Sequence, residues 1–303
     1  MKVGAIDIGT NSIRLLMINF LADDYNIIGR ETSITRLGED VDKTKILKSK
    51  AIARTYDVFK DYYNQIKKNN IANVKIVGTS ALRDVSNAKI LADKIKEYSG
   101  LGLKVISGKK EAEYIYSGVK LDLRDEDFLI IDIGGGSTEF IWRQDNILNF
   151  ESLNIGAVRL TERYISRKDK KMSLGEKKSI INNIETKINK LKNIELTNIN
   201  NLVGVGGTIA NLAAMDQKLL RYQSDKIHLY KLPYKKINKI IKELIHKNLA
   251  EKKEMPGLQS GRADIITTGA LILKLIMKRI NLDHIKVSEH DILFGIARDA
   301  INI

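Results

Sequence analysis

The sequence predicts an α/β protein built as two duplicated domains, and three observations carry that prediction. Strand-like apolar runs alternate with helix-like amphipathic ones through most of the chain, the pattern of a mixed or parallel sheet covered by helices. One device, a strand ending in aspartate followed by a glycine turn and a returning apolar run, occurs at Asp7-Ile8-Gly9-Thr10-Asn11-Ser12 and again at Asp132-Ile133-Gly134-Gly135-Gly136-Ser137-Thr138. The copies lie 125 residues apart, so a duplicated fold with a cleft between its halves follows. A chain of 303 residues also suits two domains, each large enough to bury a core.

Taken in order, Val3 to Asp7 reads as a strand entering the first glycine turn, with Ile13 to Phe20 as the returning strand. A helix fits Lys50 to Lys68, then strand Val74 to Gly78, a helix capped near Ser86 and running toward Tyr98, strand Leu103 to Ile106, and a helix from Lys109 to Val119. Phe128 to Asp132 restarts the pattern, with Phe140-Ile141-Trp142 as the second returning run. Beyond it come a short helix Val158 to Tyr164, a polar helix Leu174 to Leu191, strand Leu202 to Val205, and Pro233 ahead of helix Tyr234 to His246. Arg262 to Ile280 reads as one long helix, apolar on most faces and so mostly buried. The charged stretch Asp122-Leu123-Arg124-Asp125-Glu126-Asp127 is the expected linker, dividing domains 1–124 and 125–291.

Composition narrows the chemistry. With no cysteine there is no disulfide, thiolate metal site or cysteine nucleophile, so carboxylates, hydroxyls, histidines or backbone must do the work. The first apolar stretch is interrupted by Asp7 and Arg14, and the run Ala270 to Met277 is short and contains Lys274; neither reads as a secretory signal or a membrane span, and a cytoplasmic location is expected. The net charge is +14, and Arg163 to Lys253 alone holds 21 basic and 8 acidic residues. That excess suits a polyanionic partner, although lysine on solvated helix faces accounts for it equally well. Nucleic acid is the rival polyanion, but the stretch carries no zinc spacing, aromatic strand motif or helix-turn-helix signal, so it is not expected as a partner.

Three consecutive glycines after a strand let a backbone approach a ligand closely, and successive N–H groups then make an anion nest. Gly134, Gly135 and Gly136 supply such a cradle for phosphate, Ser137 and Thr138 add hydroxyls, and Asp132 with Glu139 supply oxygen ligands of the kind Mg²⁺ takes. A glycine run alone is more often a tight turn. Its recurrence, headed each time by an aspartate and followed by hydroxyls, favours the phosphate reading. Gly206, Gly207 and Thr208 after strand Leu202 to Val205 form a third, weaker copy that suits a phosphate or base contact.

Hydrolysis of a phosphoanhydride needs a group to orient or deprotonate water, and a carboxylate facing the phosphate can do so. Glu111, at the start of a helix in Ser107-Gly108-Lys109-Lys110-Glu111-Ala112-Glu113, is the candidate base ahead of Glu113, although a glutamate in a first helical turn can simply complement the dipole. Arg83 follows a strand and suits forked contact with phosphate oxygens, with a solvated arginine as the alternative. The four histidines, His228, His246, His284 and His290, show no metal-site spacing.

These residues resemble the exopolyphosphatase and guanosine pentaphosphate phosphohydrolase family. The resemblance rests on Asp7 to Ser12, Thr79 to Arg83, Ser107-Gly108 with Glu111-Ala112, and Asp132 to Glu139. It continues through Gly156 to Tyr164, Gly204 to Thr208, Pro256-Gly257-Leu258, Arg262-Ala263-Asp264 and Val287-Ser288, nearly the whole chain. It implies an actin-like ATPase (ribonuclease H-like) fold in which the last helix, 292–303, packs back onto the first domain. It also implies attack of water on a terminal phosphoryl group assisted by Mg²⁺, with Mn²⁺ as a substitute, and pairing as homodimers. By motif, Glu111 is the implied base, Asp7, Asp132 and Glu139 the metal-side carboxylates, and Asn11, Ser12, Arg83, the second glycine turn with Ser137 and Thr138, and Gly206 to Thr208 the phosphate contacts.

Two departures stand out. The chain ends at Ile303, like the short two-domain form of the family, and Leu293-Phe294-Gly295 stands where the family often shows arginine and glutamate before a glycine. The resulting expectation is an exopolyphosphatase releasing orthophosphate from inorganic polyphosphate. The alternative is a phosphohydrolase acting on guanosine pentaphosphate, with the tetraphosphate as product. A sugar or acid kinase or a chaperone-type ATPase of the same superfold, and a non-catalytic polyphosphate sensor, are the readings from other classes. The carboxylates Glu111, Asp132 and Glu139 speak against the sensor.

Overall fold

A computed structural model describes residues 1–22, 24–123, 127–145, 147–167, 169–191 and 201–301. The chain divides into two compact units, Met1–Leu123 with His290–Ile303, and Arg124–Glu289. Of the expected linker, Arg124, Asp125 and Glu126 lie outside the described residues, as do the last two residues of the expected C-terminal helix.

In the first unit, β1 (Lys2–Ile8), β2 (Ser12–Phe20) and β3 (Tyr25–Ile34) form an antiparallel meander, followed by α1 (Val41–Thr44) and α2 (Ser49–Lys68). Then come β4 (Asn73–Gly78), α3 (Ser80–Arg83), α4 (Ala88–Ser99), β5 (Leu103–Val105) and α5 (Gly108–Val119). The sheet order is β3-β2-β1-β4-β5, with β4 parallel to β1 and β5 parallel to β4. β1 is central, and its Val3 to Ile8 are buried, which explains the apolar run that leads up to Asp7. α2 buries Ala51, Ile52, Thr55, Phe59, Tyr62 and Ile66, a helical stripe that closes one face of the sheet's core.

The second unit runs β6 (Leu129–Ile133), β7 (Thr138–Gln144), β8 (Ile147–Leu153), α6 (Ala157–Tyr164), α7 (Leu174–Ile188), β9 (Leu202–Val205) and α8 (Gly206–Asp216). It continues with α9 (Ser224–Ile227), β10 (Lys231–Pro233), α10 (Tyr234–Ile245), α11 (Leu249–Lys253), α12 (Ile266–Ile280) and β11 (His284–Val287). Its sheet order, β8-β7-β6-β9-β11-β10, repeats that of the first with one strand added at the edge. The two meanders correspond strand for strand, and β9 lies parallel to β6 as β4 does to β1. Repeated topology is the structural counterpart of the repeated sequence device.

The last helix, α13 (Ile292–Ala300), belongs to the first unit and packs on α5. Glycines permit the close approach: a Cβ on Gly295 would lie 1.9 Å from the Tyr114 carbonyl oxygen, and one on Gly118 would lie 2.3 Å from that of Asp291. No described helix is long and apolar enough to cross a membrane.

Several elements differ from expectation. Gly206-Gly207-Thr208 opens helix α8 instead of forming a loop, and the segment read as one helix from Arg262 to Ile280 begins with a 3-10 turn, Ser260–Arg262, before α12 starts at Ile266. The helix expected to be capped near Ser86 is α4, with Asn87 at its N-cap.

Candidate functional site

In the first unit the chemistry collects around the end of β1. The amide of Gly9 bonds to the Ser12 carbonyl at 2.9 Å, closing the turn, and β2 returns so that Arg14 stands directly across from Asp7. The Nε of Arg14 donates to Asp7 Oδ2 at 2.9 Å. Its Nη1 contacts Asp291 Oδ2, and Arg30 approaches the same oxygen at 3.6 Å. The other oxygen of Asp7, Oδ1, is buried with no hydrogen-bond partner, as is Asn11 Nδ2. Burial raises the Asp7 carboxyl above its ordinary range, and the charge and hydrogen bond of Arg14 only partly oppose that. Burial pushes Asp291 upward too, but Arg14, Arg30 and the Leu293 amide outweigh it and hold Asp291 below the usual range.

Glu111 lies in the first turn of α5, whose N-cap Ser107 accepts from the Lys110 amide at 3.2 Å. Its carboxylate is buried and receives Arg83 Nη1 at 2.6 Å, while the same nitrogen reaches the Ile106 carbonyl at 3.0 Å. Burial raises the Glu111 carboxyl; Arg83 opposes the shift and nearby Asp7 adds to it. A carboxyl poised upward is suited to accept a proton. Glu113, the second candidate, instead pairs with Lys110 at 3.1 Å on the exposed side of the helix. Arg83 therefore orients Glu111 as well as offering its remaining donors. Ser12 is buried, and Thr10 shares a hydrogen bond with Ser80 at 2.8 Å.

In the second unit the corresponding turn is closed by the Gly134 amide on the Ser137 carbonyl at 3.0 Å. The carbonyl of Gly134 accepts from the Ala157 amide, that of Gly135 from Val158 and Arg159 amides, and that of Gly136 from Arg159 Nε at 2.6 Å. All three carbonyls thus face the start of α6. In a planar trans peptide N–H and C=O point oppositely, so the amides of Gly135, Gly136 and Ser137 face the other way, and none has a partner among the described residues. Successive N–H groups left on one side of a turn are the arrangement from which an anion cradle is built. Gly156 permits it, since a Cβ there would lie 2.2 Å from the Gly135 oxygen.

Asp132 and Glu139 are direct cross-strand partners on β6 and β7, and Ser152 donates to Glu139 Oε1 at 3.0 Å. Gly206 has φ +84°, and a Cβ there would lie 2.4 Å from Asp132 Oδ1, so the third glycine turn backs the Asp132 carboxylate. Gly207 lies under the buried guanidinium of Arg262, 2.1 Å from a hypothetical Cβ. Thr138 is fully buried with its hydroxyl on the Ile155 carbonyl, and Thr208 donates to the Ile133 carbonyl at 3.2 Å. Both hydroxyls brace the turns through these bonds.

Sequence reasoning missed Arg14, Arg30, Asp291 and Arg262 as site residues. Arg14 was within reach of the repeat, because the 125-residue offset that maps Asp7 onto Asp132 maps Arg14 onto Glu139. The same position across the hairpin carries a cation in one unit and a carboxylate in the other.

The sequence profile described as the Ppx/GppA phosphatase family matches residues 20–298. The chain is 33% identical over 98% of its length to Exopolyphosphatase 2 of Mycobacterium tuberculosis, spanning 97% of that protein. It is 38% identical over 96% of its length to the Bifunctional 3-dehydroquinate synthase/phosphatase of Fusobacterium nucleatum, of which it spans only 45%. A guanosine-5'-triphosphate,3'-diphosphate pyrophosphatase of Pseudoalteromonas translucida matches at 29% identity over 92% of the chain, which spans 55% of it. Among solved structures, an exopolyphosphatase from Cytophaga hutchinsonii superposes with TM-score 0.91 at 27% identity, covering 100% of this chain and 99% of that one.

Proposed function

The chain belongs to the Ppx/GppA phosphatase family, hydrolases of phosphoric anhydrides, and from that premise we propose that it releases orthophosphate from the ends of inorganic polyphosphate. The observation that carries the proposal is the buried, Arg83-bound Glu111 with its raised carboxyl. In this reading Glu111 takes a proton from water. The water oxygen bonds to the terminal phosphorus, the bond to the bridging oxygen breaks, and the shortened chain leaves with its new negative charge. The amides of Gly135, Gly136 and Ser137, with Arg262, bind phosphoryl oxygens as directional donors. Asn11 and Ser12 act as further polar contacts.

A divalent cation fits the donor set. Within the second unit Asp132 and Glu139 stand side by side as hard oxygen ligands, and within the first, taken by itself, Asp7 Oδ1 is a buried carboxylate oxygen without a donor. Asp132 and Glu139 would hold Mg²⁺, or Mn²⁺ in its place, and the bound ion would offset charge on phosphoryl oxygens. A cytoplasmic location and a homodimer belong to the same reading and rest on the family resemblance.

Full-length correspondence with an exopolyphosphatase, against 55% of a guanosine-nucleotide relative, favours polyphosphate as substrate; guanosine pentaphosphate is the second reading, supported by that relative's own match. Orthophosphate release from each substrate, at equal terminal-phosphate concentration with Mg²⁺, decides between them. A kcat/KM at least about tenfold higher for polyphosphate is expected, the equivalent of about 1.4 kcal/mol; a reversed ratio supports the nucleotide, and release from neither defeats both.

A further inference from the structure

We propose that Asp291 is a positioning residue that fixes Arg14, and through it Asp7, from the N-terminus of the last helix. The inference deepens the hydrolase reading and rests on it. Asp291 is buried at the N-cap of α13, and its two oxygens have separate tasks. Oδ1 accepts the Leu293 amide at 3.0 Å and caps the helix; Oδ2 receives Arg14, with Arg30 at 3.6 Å on the same atom. Arg14 in turn grips Oδ2 of Asp7, leaving Oδ1 as the oxygen without a partner. A guanidinium held on two sides cannot rotate away from Asp7 without abandoning a buried carboxylate. The Asp7 carboxylate is thereby locked in one orientation.

The neighbourhood of Asp291 is built to keep it there. Its carbonyl oxygen lies against Gly118 of α5, the helix that carries Glu111, so the residue is wedged between the Glu111 helix and the β1–β2 hairpin. Phe294, one helical turn on, carries no charge to share the work. It is fully buried, stacked on His290 at 4.0 Å between centroids, with Tyr25 edge-on at 5.9 Å and Arg30 over its ring at 5.9 Å. An N-cap residue and the residue three positions later lie on one side of the first turn. Of the two, Asp291 alone presents a carboxylate, and that group meets Arg14 and Arg30.

The test is Asp291→Asn, because asparagine caps helices as well as aspartate while removing the charge that Arg14 and Arg30 share. We expect kcat on polyphosphate to fall at least tenfold with KM changed less than threefold when both proteins are assayed below their melting transitions, a lower melting temperature at pH 7 because a depressed carboxylate is lost, and partial recovery of kcat in Asp291→Glu. The Nε–H signal of Arg14 in nitrogen-15 NMR should broaden or exchange faster in Asp291→Asn, reporting its release from Asp7. Parental kcat in Asp291→Asn, or a fall matched by an equal rise in KM, overturns the proposal. If the parent protein hydrolyses neither substrate, the hydrolase reading fails on that result alone. The Arg14 signal then still decides the positioning claim, an unchanged signal overturning it.

Discussion

Arg83 donates to Glu111 Oε2 at 2.6 Å, so the arginine expected as a phosphate contact first serves as the partner of the candidate base. The pairing sets the basicity of Glu111 by opposing the upward push of burial. In Arg83→Met the opposing charge and hydrogen bond are gone, and the carboxyl moves further up. The acidic limb of the kcat/KM profile, below which the base is protonated, should therefore shift to higher pH. A limb that stays in place separates Arg83 from Glu111 functionally.

The same carboxyl has a stability signature. Because the folded protein holds the Glu111 proton to higher pH than the unfolded chain, it binds more protons than the unfolded state between the two pKa values, and stability from this group falls as pH rises through that window. Glu111→Gln, which keeps an acceptor for Arg83, should melt at a higher temperature than the parent at pH 7. The difference should close toward about pH 4, near the unfolded glutamate pKa. A variant less stable than the parent at pH 7 contradicts the assignment of burial as the dominant influence.

Gly156→Ala tests the phosphate cradle without touching a charged group. Its Cβ would fall 2.2 Å from the Gly135 oxygen and 2.4 Å from the Gly136 carbonyl carbon, backbone atoms that can move only by distorting the turn. Overpacking of this kind costs about 1–3 kcal/mol. KM for polyphosphate should rise at least about tenfold, as expected when 1.4 kcal/mol of binding is lost, while far-ultraviolet circular dichroism keeps its parental shape. An unchanged KM removes the turn from substrate binding.

Asp299 anchors the last helix, taking Tyr114 Oη at 2.8 Å and pairing with Lys75. Burial pushes its carboxyl up, but the Lys75 and Tyr114 hydrogen bonds and the Lys75 and Lys110 charges win and depress it. Its contribution is therefore present above the unfolded pKa of about 3.9 and lost as pH falls through the lower folded value. Asp299→Asn should melt below the parent at pH 7, with the gap narrowing in acid. Equal melting at pH 7 means that this partly exposed cluster adds nothing measurable.

What the sequence makes legible follows burial. β1, β6 and α2 declare themselves because central strands are mostly apolar up to their aspartates and an amphipathic helix repeats at 3.6 residues. β3 and β8 were not anticipated, and both are outer strands of their meanders with mixed exposed and half-buried positions that blur any alternation. α8 was hidden because its first residues are glycines, which signal a turn, although Gly206 supplies the positive φ from which the helix starts. At the site, residues adjacent along the chain were readable from motif alone. The Arg14–Asp291 contact joins positions 277 residues apart, and no local pattern announces such a pair.

The most direct measurement of the central claim is orthophosphate release at saturating polyphosphate by the parent and by Glu111→Gln, with binding followed in parallel. Loss of a general base predicts a fall in kcat of about 10²- to 10⁴-fold with substrate still bound. A Glu111→Gln rate within threefold of the parent would contradict the account.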